Sequence, residues 1–303
     1  MLALAGVWSY RQMRSAGDFF PRVGKTAPSP EQIQRILKDS EKRLTQDPEN
    51  LDALVDQGVA RFFMGPDHYS ESLNALNTAW RMSAFDPRIF YYSGILYEDL
   101  SLFEESEKQY RRFLKHMPND REVELRLARL MFRMGKWDES VHYYENLVKA
   151  NPKDVTSTVN LGLAYARRYQ QYQDELAKKP KKTQGTEKPA EPGTLDPNAL
   201  LSRAIEYLEK ASKLDADLDD GLYLELAKLY FAKGDWQNCV NAGFSELKRK
   251  SDDAETLKLV TLAYEKLGDK AKAYEFAAQW EKSDPKSRQA HQKVVQLKPR
   301  TKK

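Results

Sequence analysis

The side chains that most often catalyse reactions or bind metals are few in this sequence and far apart. The four histidines never share the short spacing at which two ligands on one helix hold a metal ion: His68, His116, His142 and His291. The single cysteine, Cys239, excludes an internal disulfide framework and a cysteine-based metal cluster. No glycine-rich phosphate loop follows a predicted strand, and no Gly-x-Ser-x-Gly motif occurs. We therefore predict no catalytic residue, no metal ligand and no cofactor, and we expect that the protein is not an enzyme.

Three arginines are the clearest chemical feature. Arg126, Arg129 and Arg133 recur at spacings of three and four residues, so they share one face of a helix. Like charges on one face repel each other and would gain from an acidic ligand. The alternative is a solvated face whose arginines pair with acids in the next repeat.

Composition limits the class of protein. The 303 residues are 31% charged and 41% hydrophobic, with 14 Gly and 14 Pro, which suits a helix-rich chain and not a β-sandwich or a largely disordered one. The net charge is +4, but the last eighteen residues hold seven of the 49 basic residues and no acid. The remainder carries 42 basic and 45 acidic residues, a net charge of about −3, so a body that binds polyanions is not indicated.

A repeat of small residues, with a period of about 34, extends over most of the sequence. Small residues recur 34 or 36 residues apart in two series: Gly58, Gly94, Ala128 and Gly162, then Ala227 and Thr261. Twelve residues further on, another small residue follows: Ser106, Ser140, Cys239 or Ala273, with Ser72 and Ala204 in the same role after insertions. Small residues at these positions indicate two helices that approach closely, so Cys239 is interpreted as a buried packing residue. No unit can bury its apolar face alone, and the units must therefore stack.

The chain resembles the tetratricopeptide repeat family, whose unit is 34 residues. The matching elements are Leu161-Gly162-x-x-Tyr165, Gly268-Asp269 with Ala273, and Asn151-Pro152. The resemblance covers about residues 33 to 285 and implies an all-α fold, an α-solenoid of antiparallel helix pairs in a right-handed superhelix, with roughly fourteen helices and no strands. The repeats are expected at about 51–86, 87–120, 121–154, 155–218, 220–253 and 254–285. In the fifth, Gly243 and Glu246 depart from the pattern inside the second helix.

The resemblance also implies where a partner binds, because the first helices of successive units line a concave groove in this family. The surface would be apolar and aromatic in its N-terminal half and basic in its middle. The alternative for the aromatic residues is ordinary packing between helices. The partner-binding residues implied are Tyr91, Tyr92, Ile95, Arg126, Arg129, Arg133, Asn160 and Arg167.

The flanking segments complete the predicted organisation. Residues 1–30 begin with "MLALAGVW", which is too short to span a bilayer that needs about 20 residues. It is interpreted as the cut end of an anchor followed by a stalk, or alternatively as an amphipathic or frayed terminus. Residues 31–298 form the solenoid, about six repeats plus flanking helices, with a flexible insertion at about 172–198 that proteases should cut first. Residues 299–303 are a basic tail.

These features favour a non-catalytic scaffold or adaptor that binds a protein or peptide partner carrying an acidic and hydrophobic segment. A membrane tether in an envelope assembly rests on the N-terminus alone, and the localisation is unknown. Two alternatives stay open: an RNA-binding helical-repeat protein, which the acidic body disfavours, and a structural subunit of a homo-oligomer. Binding to random RNA at several salt concentrations would separate the first alternative from the scaffold.

Overall fold

The computed structural model describes residues 20–23, 27–82, 86–178, 196–215 and 221–299. The chain divides into two compact units, residues 1–136 and residues 137–303, which are described separately. The first nineteen residues, where the anchor is predicted, lie outside the described residues, as do 179–195 of the predicted insertion and 300–303 of the basic tail. No helix within the described ranges is long and apolar enough to cross a membrane.

Within its described residues, the N-terminal unit has six α-helices. They are α1 (Pro30–Gln46), α2 (Leu51–Phe63), α3 (Tyr69–Arg81), α4 (Pro87–Asp99), α5 (Phe103–His116) and α6 (Arg121–Arg133). A short 3₁₀ turn, Pro66–His68, precedes α3. Polar side chains start several helices by accepting a backbone N–H of the first turn: Asn50 caps α2, Asp86 caps α4 and Asp120 caps α6. Each helix packs on the next, and the first helices α2 and α4 also contact each other.

The C-terminal unit consists of eight helices in its described part. They are α7 (Trp137–Ala150), α8 (Val155–Lys178), α9 (Pro197–Leu214), α10 (Leu222–Lys233), α11 (Trp236–Leu247), α12 (Ala254–Leu267), α13 (Lys270–Ser283) and α14 (Arg288–Leu297). Consecutive helices pack together here as well, and the first helices α10 and α12 are in contact. The described residues thus contain fourteen α-helices and no strand, and the prediction of an all-α solenoid of helix pairs is confirmed.

The small residues of the repeat lie where helices touch. A Cβ atom added to Gly94 in α4 would come within 2.4 Å of Tyr110 Cε1 in α5, closer than real side chains approach. Ser106, twelve residues later, donates its hydroxyl to the Gly94 carbonyl oxygen at 2.8 Å. Ser72 bonds the Gly58 carbonyl oxygen at 2.6 Å in the same way. The small pair therefore lets the two backbones meet, and its serine adds a hydrogen bond that holds them together.

A line of alternating charges fixes α4 against the helices before it. The Arg88 guanidinium in α4 is only 3% exposed, and its Nη1 lies 2.7 Å from Asp56 Oδ1 in α2. Its Nη2 lies 2.6 Å from Asp86 Oδ2, the helix cap. Asp56 also accepts from Arg43 Nη2 of α1 at 2.5 Å. Because each buried charge has a partner of opposite sign, burial is tolerated and the orientation of α4 is specified.

The fifth repeat packs closely in spite of its departures from the pattern. A Cβ atom on Gly243 of α11 would lie 2.4 Å from Val260 Cγ2 of α12, so the glycine is what allows these helices to meet. Glu246, at an expected apolar position, is buried with 2% of its surface exposed.

The last helix covers the end of the repeats. Ala290 of α14 is fully buried beside Leu257 and Trp280. A solenoid requires such a cap, because its final repeat would otherwise expose core residues to water.

Candidate functional site

The aromatic residues predicted to meet a partner lie on α4, in the N-terminal unit. Tyr91 and Tyr92 are fully buried, and Ile95 one turn later is 5% exposed. Tyr92 contacts the two phenylalanines at the end of α2, with ring centroids 5.0 Å from Phe62 and 5.8 Å from Phe63. The first-helix surface is the name used below for Phe62 and Phe63 of α2, Tyr91 and Tyr92 of α4, and the side of α6 that bears Glu122 and Arg126. These aromatic side chains pack against each other between α2 and α4, as the alternative interpretation expected. A further segment of the chain covers them.

The cover is a short piece of the chain itself, Phe20–Val23. The ring of Phe20 meets Tyr91 edge-on at a centroid distance of 5.5 Å and lies 6.0 Å from Tyr92. Tyr91 Oη accepts the backbone N–H of Val23 at 3.0 Å. Tyr92 Oη donates to the carbonyl oxygen of Pro21. The first-helix surface thus binds a non-helical main chain through two tyrosine hydroxyls and one aromatic side chain through ring contacts.

Arg22 adds a charged contact between this segment and the helices that it covers. Its guanidinium lies over three rings, 4.6 Å from the centroid of Phe20, 4.5 Å from that of Tyr91 and 5.2 Å from that of Phe113. It also pairs with the carboxylate of Asp120 and lies 3.9 Å from that of Glu122. Cation–π contact and an opposite charge act on the same cation, and this combination recognises arginine better than lysine.

Asp120 and Glu122 each serve two partners. Asp120 Oδ1 accepts the Val123 N–H at 3.2 Å and caps α6, while its Oδ2 faces Arg22. Glu122 accepts the hydroxyl of Tyr91. Burial, with the hydrogen bond to Glu122 and its charge, raises the pKa of Tyr91 to about 12. Burial likewise raises the pKa of Tyr92. Both hydroxyls therefore stay protonated at neutral pH, where each can donate one hydrogen bond and accept another.

The three predicted arginines of α6 have different environments. Arg126 Nε lies 3.5 Å from Glu122 Oε1, and its guanidinium is 5.8 Å from the Tyr91 centroid. Arg133 pairs with Glu98 of α4 at 3.1 Å and stacks over Phe103. Arg129 is exposed and forms no ion pair within the part of the chain that the structure describes. Two of the three arginines are therefore paired, and the face is not free of acids. Their partners lie on α6 itself and in the preceding repeat, and not in the next repeat as the alternative interpretation held.

The remaining predicted residues belong to the C-terminal unit. Asn160 and Arg167 lie seven residues apart on α8, about two turns, and so on one side of that helix. Asn160 is half-buried, whereas Arg167 is exposed and lies 3.7 Å from Glu225 of α10. Of the predicted residues, Tyr91 contacts both Tyr92 and Arg126 in the N-terminal unit, whereas Asn160 and Arg167 belong to the C-terminal unit.

The side chains considered for catalysis have structural surroundings. Cys239 is fully buried in α11, where burial first and the charge of Asp235 second raise the pKa of its thiol to about 12. His291 pairs with Glu281 at 2.6 Å on the outside of the last helices. Among the described residues, no group of three or more His, Cys, Asp or Glu side chains is placed to hold a metal ion.

Sequence reasoning missed the acids of α6 and the seated segment. Glu122 precedes Arg126 by four residues, the spacing at which a glutamate pairs with a basic residue on a helix, so its role was visible in the sequence. The run "FFPR" at 19–22 was also visible as two aromatic residues and an arginine in an otherwise polar stretch. The surface that this run contacts could not be predicted, because the contacts join residues about 70 to 100 positions apart.

Comparison with known proteins agrees with this architecture. A family model described as a tetratricopeptide repeat matches residues 125–178. No curated protein sequence matches the chain. The crystal structure of the MamA protein superposes with a TM-score of 0.52 at 18% identity, over 66% of this chain and 92% of that one.

Two further structures share the helical-repeat character at lower similarity. PilF of Pseudomonas aeruginosa has a TM-score of 0.49 at 14% identity, over 82% of this chain and 97% of that one. YrrB, described as a tetratricopeptide repeat protein with an unusual peptide-binding site, has a TM-score of 0.44 at 10% identity, over 84% and 97%. At these identities the likeness concerns the fold alone. Residues 125–178 match the tetratricopeptide repeat model, and the stacked helix pairs share the fold of the MamA protein. The chain is thus similar to tetratricopeptide repeat proteins, which generally serve as protein-interaction scaffolds.

Proposed function

We propose that this protein is a scaffold that binds a segment of a partner protein on the first-helix surface of its N-terminal unit. The observation that carries the proposal is the seated segment Phe20–Val23. A surface that already forms hydrogen bonds with a non-helical main chain and contacts an aromatic ring has the features of a peptide-binding site.

Different residues of this surface contribute to the affinity for a partner and to the rate of association. Tyr91 and Tyr92 offer ring faces and hydroxyls, and buried aromatic side chains of this kind carry most of the affinity in protein interfaces. Arg129 and Arg133 are largely exposed, and Arg133 retains 48% of its side-chain surface. Exposed ion pairs contribute only about 0–1 kcal/mol each, so these arginines serve mainly to steer association.

The charge of α6 changes along its length, and this refines the expected partner. The helix begins beside Asp120 and Glu122 and ends with Arg129 and Arg133. A partner segment that lies along it would place a basic residue near the start and acidic residues near the end. The acidic and hydrophobic segment expected from the sequence therefore applies to the end of α6, whereas its start suits a cation.

The experiment captures partners with the full chain and then measures binding of the purified partner. The Arg129→Glu/Arg133→Glu variant should slow association and flatten its salt dependence, because it removes the steering charges. The matched control is Lys108→Glu/Lys115→Glu on α5, which makes the same change of charge on two exposed lysines of a second helix. Thermal unfolding should show that both variants are folded. Unchanged capture by the α6 variant, with capture abolished by the α5 variant, would refute the proposed surface.

A further inference from the structure

The contacts of Phe20–Val23 resemble those of a bound ligand more than those of a core element. Within the described residues, the segment consists of four residues that belong to no helix. Three kinds of contact converge on them: ring contacts to Phe20, two tyrosine hydrogen bonds to the main chain, and the paired cation of Arg22. The side chain of Arg22 is still 18% exposed, so the seat is open to solvent on one side.

The geometry points to Phe20–Val23 as a built-in occupant of the first-helix surface, displaced by a partner segment of the same chemistry: a non-helical stretch with an aromatic residue two positions before an arginine. This inference rests on the proposed function and deepens it, because it names the partner's chemistry and the regulation of the site.

The aromatic position follows from the rings around Phe20. A ligand ring at this place meets the edge of Tyr91 at 5.5 Å and the tilted ring of Tyr92 at 6.0 Å, distances typical of favourable aromatic pairs. An aliphatic side chain would fill part of the volume but would lose the edge-on contact, which selects for an aromatic residue.

The arginine position follows from Asp120, Glu122 and the ring of Tyr91. A planar guanidinium stacks on the ring at 4.5 Å while it pairs with the carboxylate of Asp120. A lysine ammonium forms the ion pair but lacks the flat surface for stacking. The two positions together define an aromatic-x-arginine motif, whose main chain forms hydrogen bonds with the two tyrosine hydroxyls.

The built-in occupant weakens binding of a partner by competition. Phe20–Val23 precedes α1 by six residues, so its local concentration at the surface is high, in the millimolar range typical of short tethers. A partner segment binds only the fraction of molecules whose surface is vacated, and its apparent Kd rises in proportion. Changes that release the occupant should therefore tighten binding without touching the surface itself.

The test uses the full chain and a fluorescent peptide, Phe-Phe-Pro-Arg-Val-Gly, the sequence of residues 19–24. The Phe20→Ala/Arg22→Ala variant should bind this peptide at least about tenfold more tightly than the unchanged protein does, because its own segment no longer competes. A peptide with glutamate in place of its arginine should bind neither protein measurably. Arg35→Ala, a change of an exposed arginine on α1, is the matched control and should behave like the unchanged protein.

A second variant locates the binding site. Asp120→Asn added to the Phe20→Ala/Arg22→Ala chain keeps an N-cap for α6, since asparagine caps as well as aspartate does, but removes the charge that faces the arginine. Peptide binding should weaken at least about tenfold. Circular dichroism should show unchanged helix content in each variant.

Several results would overturn the inference. One is equal binding of the peptide to the unchanged and the Phe20→Ala/Arg22→Ala proteins, and another is no binding to the folded variant. A third concerns self-association of the unchanged protein as its concentration rises. If the Phe20→Ala/Arg22→Ala changes abolish this self-association, the segment binds the first-helix surface of a second copy and the inference is wrong. The proposed function fails separately, since it depends on partner capture by the Arg129→Glu/Arg133→Glu variant and not on this peptide.

Discussion

Replacing Gly94 with alanine tests the close contact that positions the first-helix surface. The added Cβ atom would lie 2.4 Å from Tyr110 Cε1 and 2.6 Å from Tyr110 Cδ1, about 1 Å less than ordinary van der Waals contact. The ring cannot easily move away, because Tyr110 is fully buried and its hydroxyl donates to Glu98 Oε2 at 3.0 Å.

The expected cost combines two effects of opposite sign. Overpacking a well-packed core costs about 1–3 kcal/mol. Alanine has a higher helix propensity than glycine by about 0.8–1 kcal/mol, which offsets part of this cost. Gly94→Ala should therefore lower the stability of α4 and α5 by up to about 2 kcal/mol, and the ring of Tyr110 should be responsible.

A double-mutant cycle separates the ring from the rest of the site. In a Tyr110→Leu chain the ring is gone, and Gly94→Ala should become neutral or stabilising by up to about 1 kcal/mol. In the matched Tyr110→Phe chain, which loses the hydroxyl and keeps the ring, the full cost should remain. Hydrogen exchange of peptides from α4 and α5 reports the local opening free energy, which suits a chain with two compact units better than a single global transition. Equal costs of Gly94→Ala in all three chains would refute the assignment of the strain to the Tyr110 ring.

Three further outcomes follow from particular side chains. Cys239 should not react with a thiol reagent at pH 8 until the protein unfolds, because burial removes access and raises its pKa to about 12; a fast reaction of the native protein would contradict this. The free energy of unfolding should fall between pH 10 and about pH 12. The unfolded state loses the Tyr91 proton near pH 10 and the folded state loses it near pH 12, so the stability that Tyr91 contributes is complete below pH 10 and is lost as the pH rises to about 12. Urea midpoints across this range should show the decline, and Tyr91→Phe should make it shallower. Gly243→Ala should destabilise α11 and α12 by about 1–2 kcal/mol through Val260, and hydrogen exchange in those helices should report it, whereas an unchanged rate would mean that Val260 moves aside.

The sequence by itself determined the repeat and the all-α fold of helix pairs. Small residues at a period of 34 are needed wherever two helices approach, and Gly94 with Ser106 shows why no larger pair serves there. Caps such as Asn50 and Asp120 act within four residues, so local spacing is sufficient to locate them. These determinants are short-range or periodic, and a single sequence reveals both.

Only the tertiary structure decided what each predicted site residue touches. Tyr91 and Tyr92 were expected on a surface open to a partner, and they lie under Phe20–Val23. Arg133 was expected on a basic face, and it pairs with Glu98, 35 residues away in the sequence. Whether a charge is free or paired depends on distances between helices, which the period of the repeat does not contain. The seat of Phe20–Val23 is a contact of the same kind: it forms because folding places a tyrosine pair and two carboxylates at distances that match one short segment of the chain.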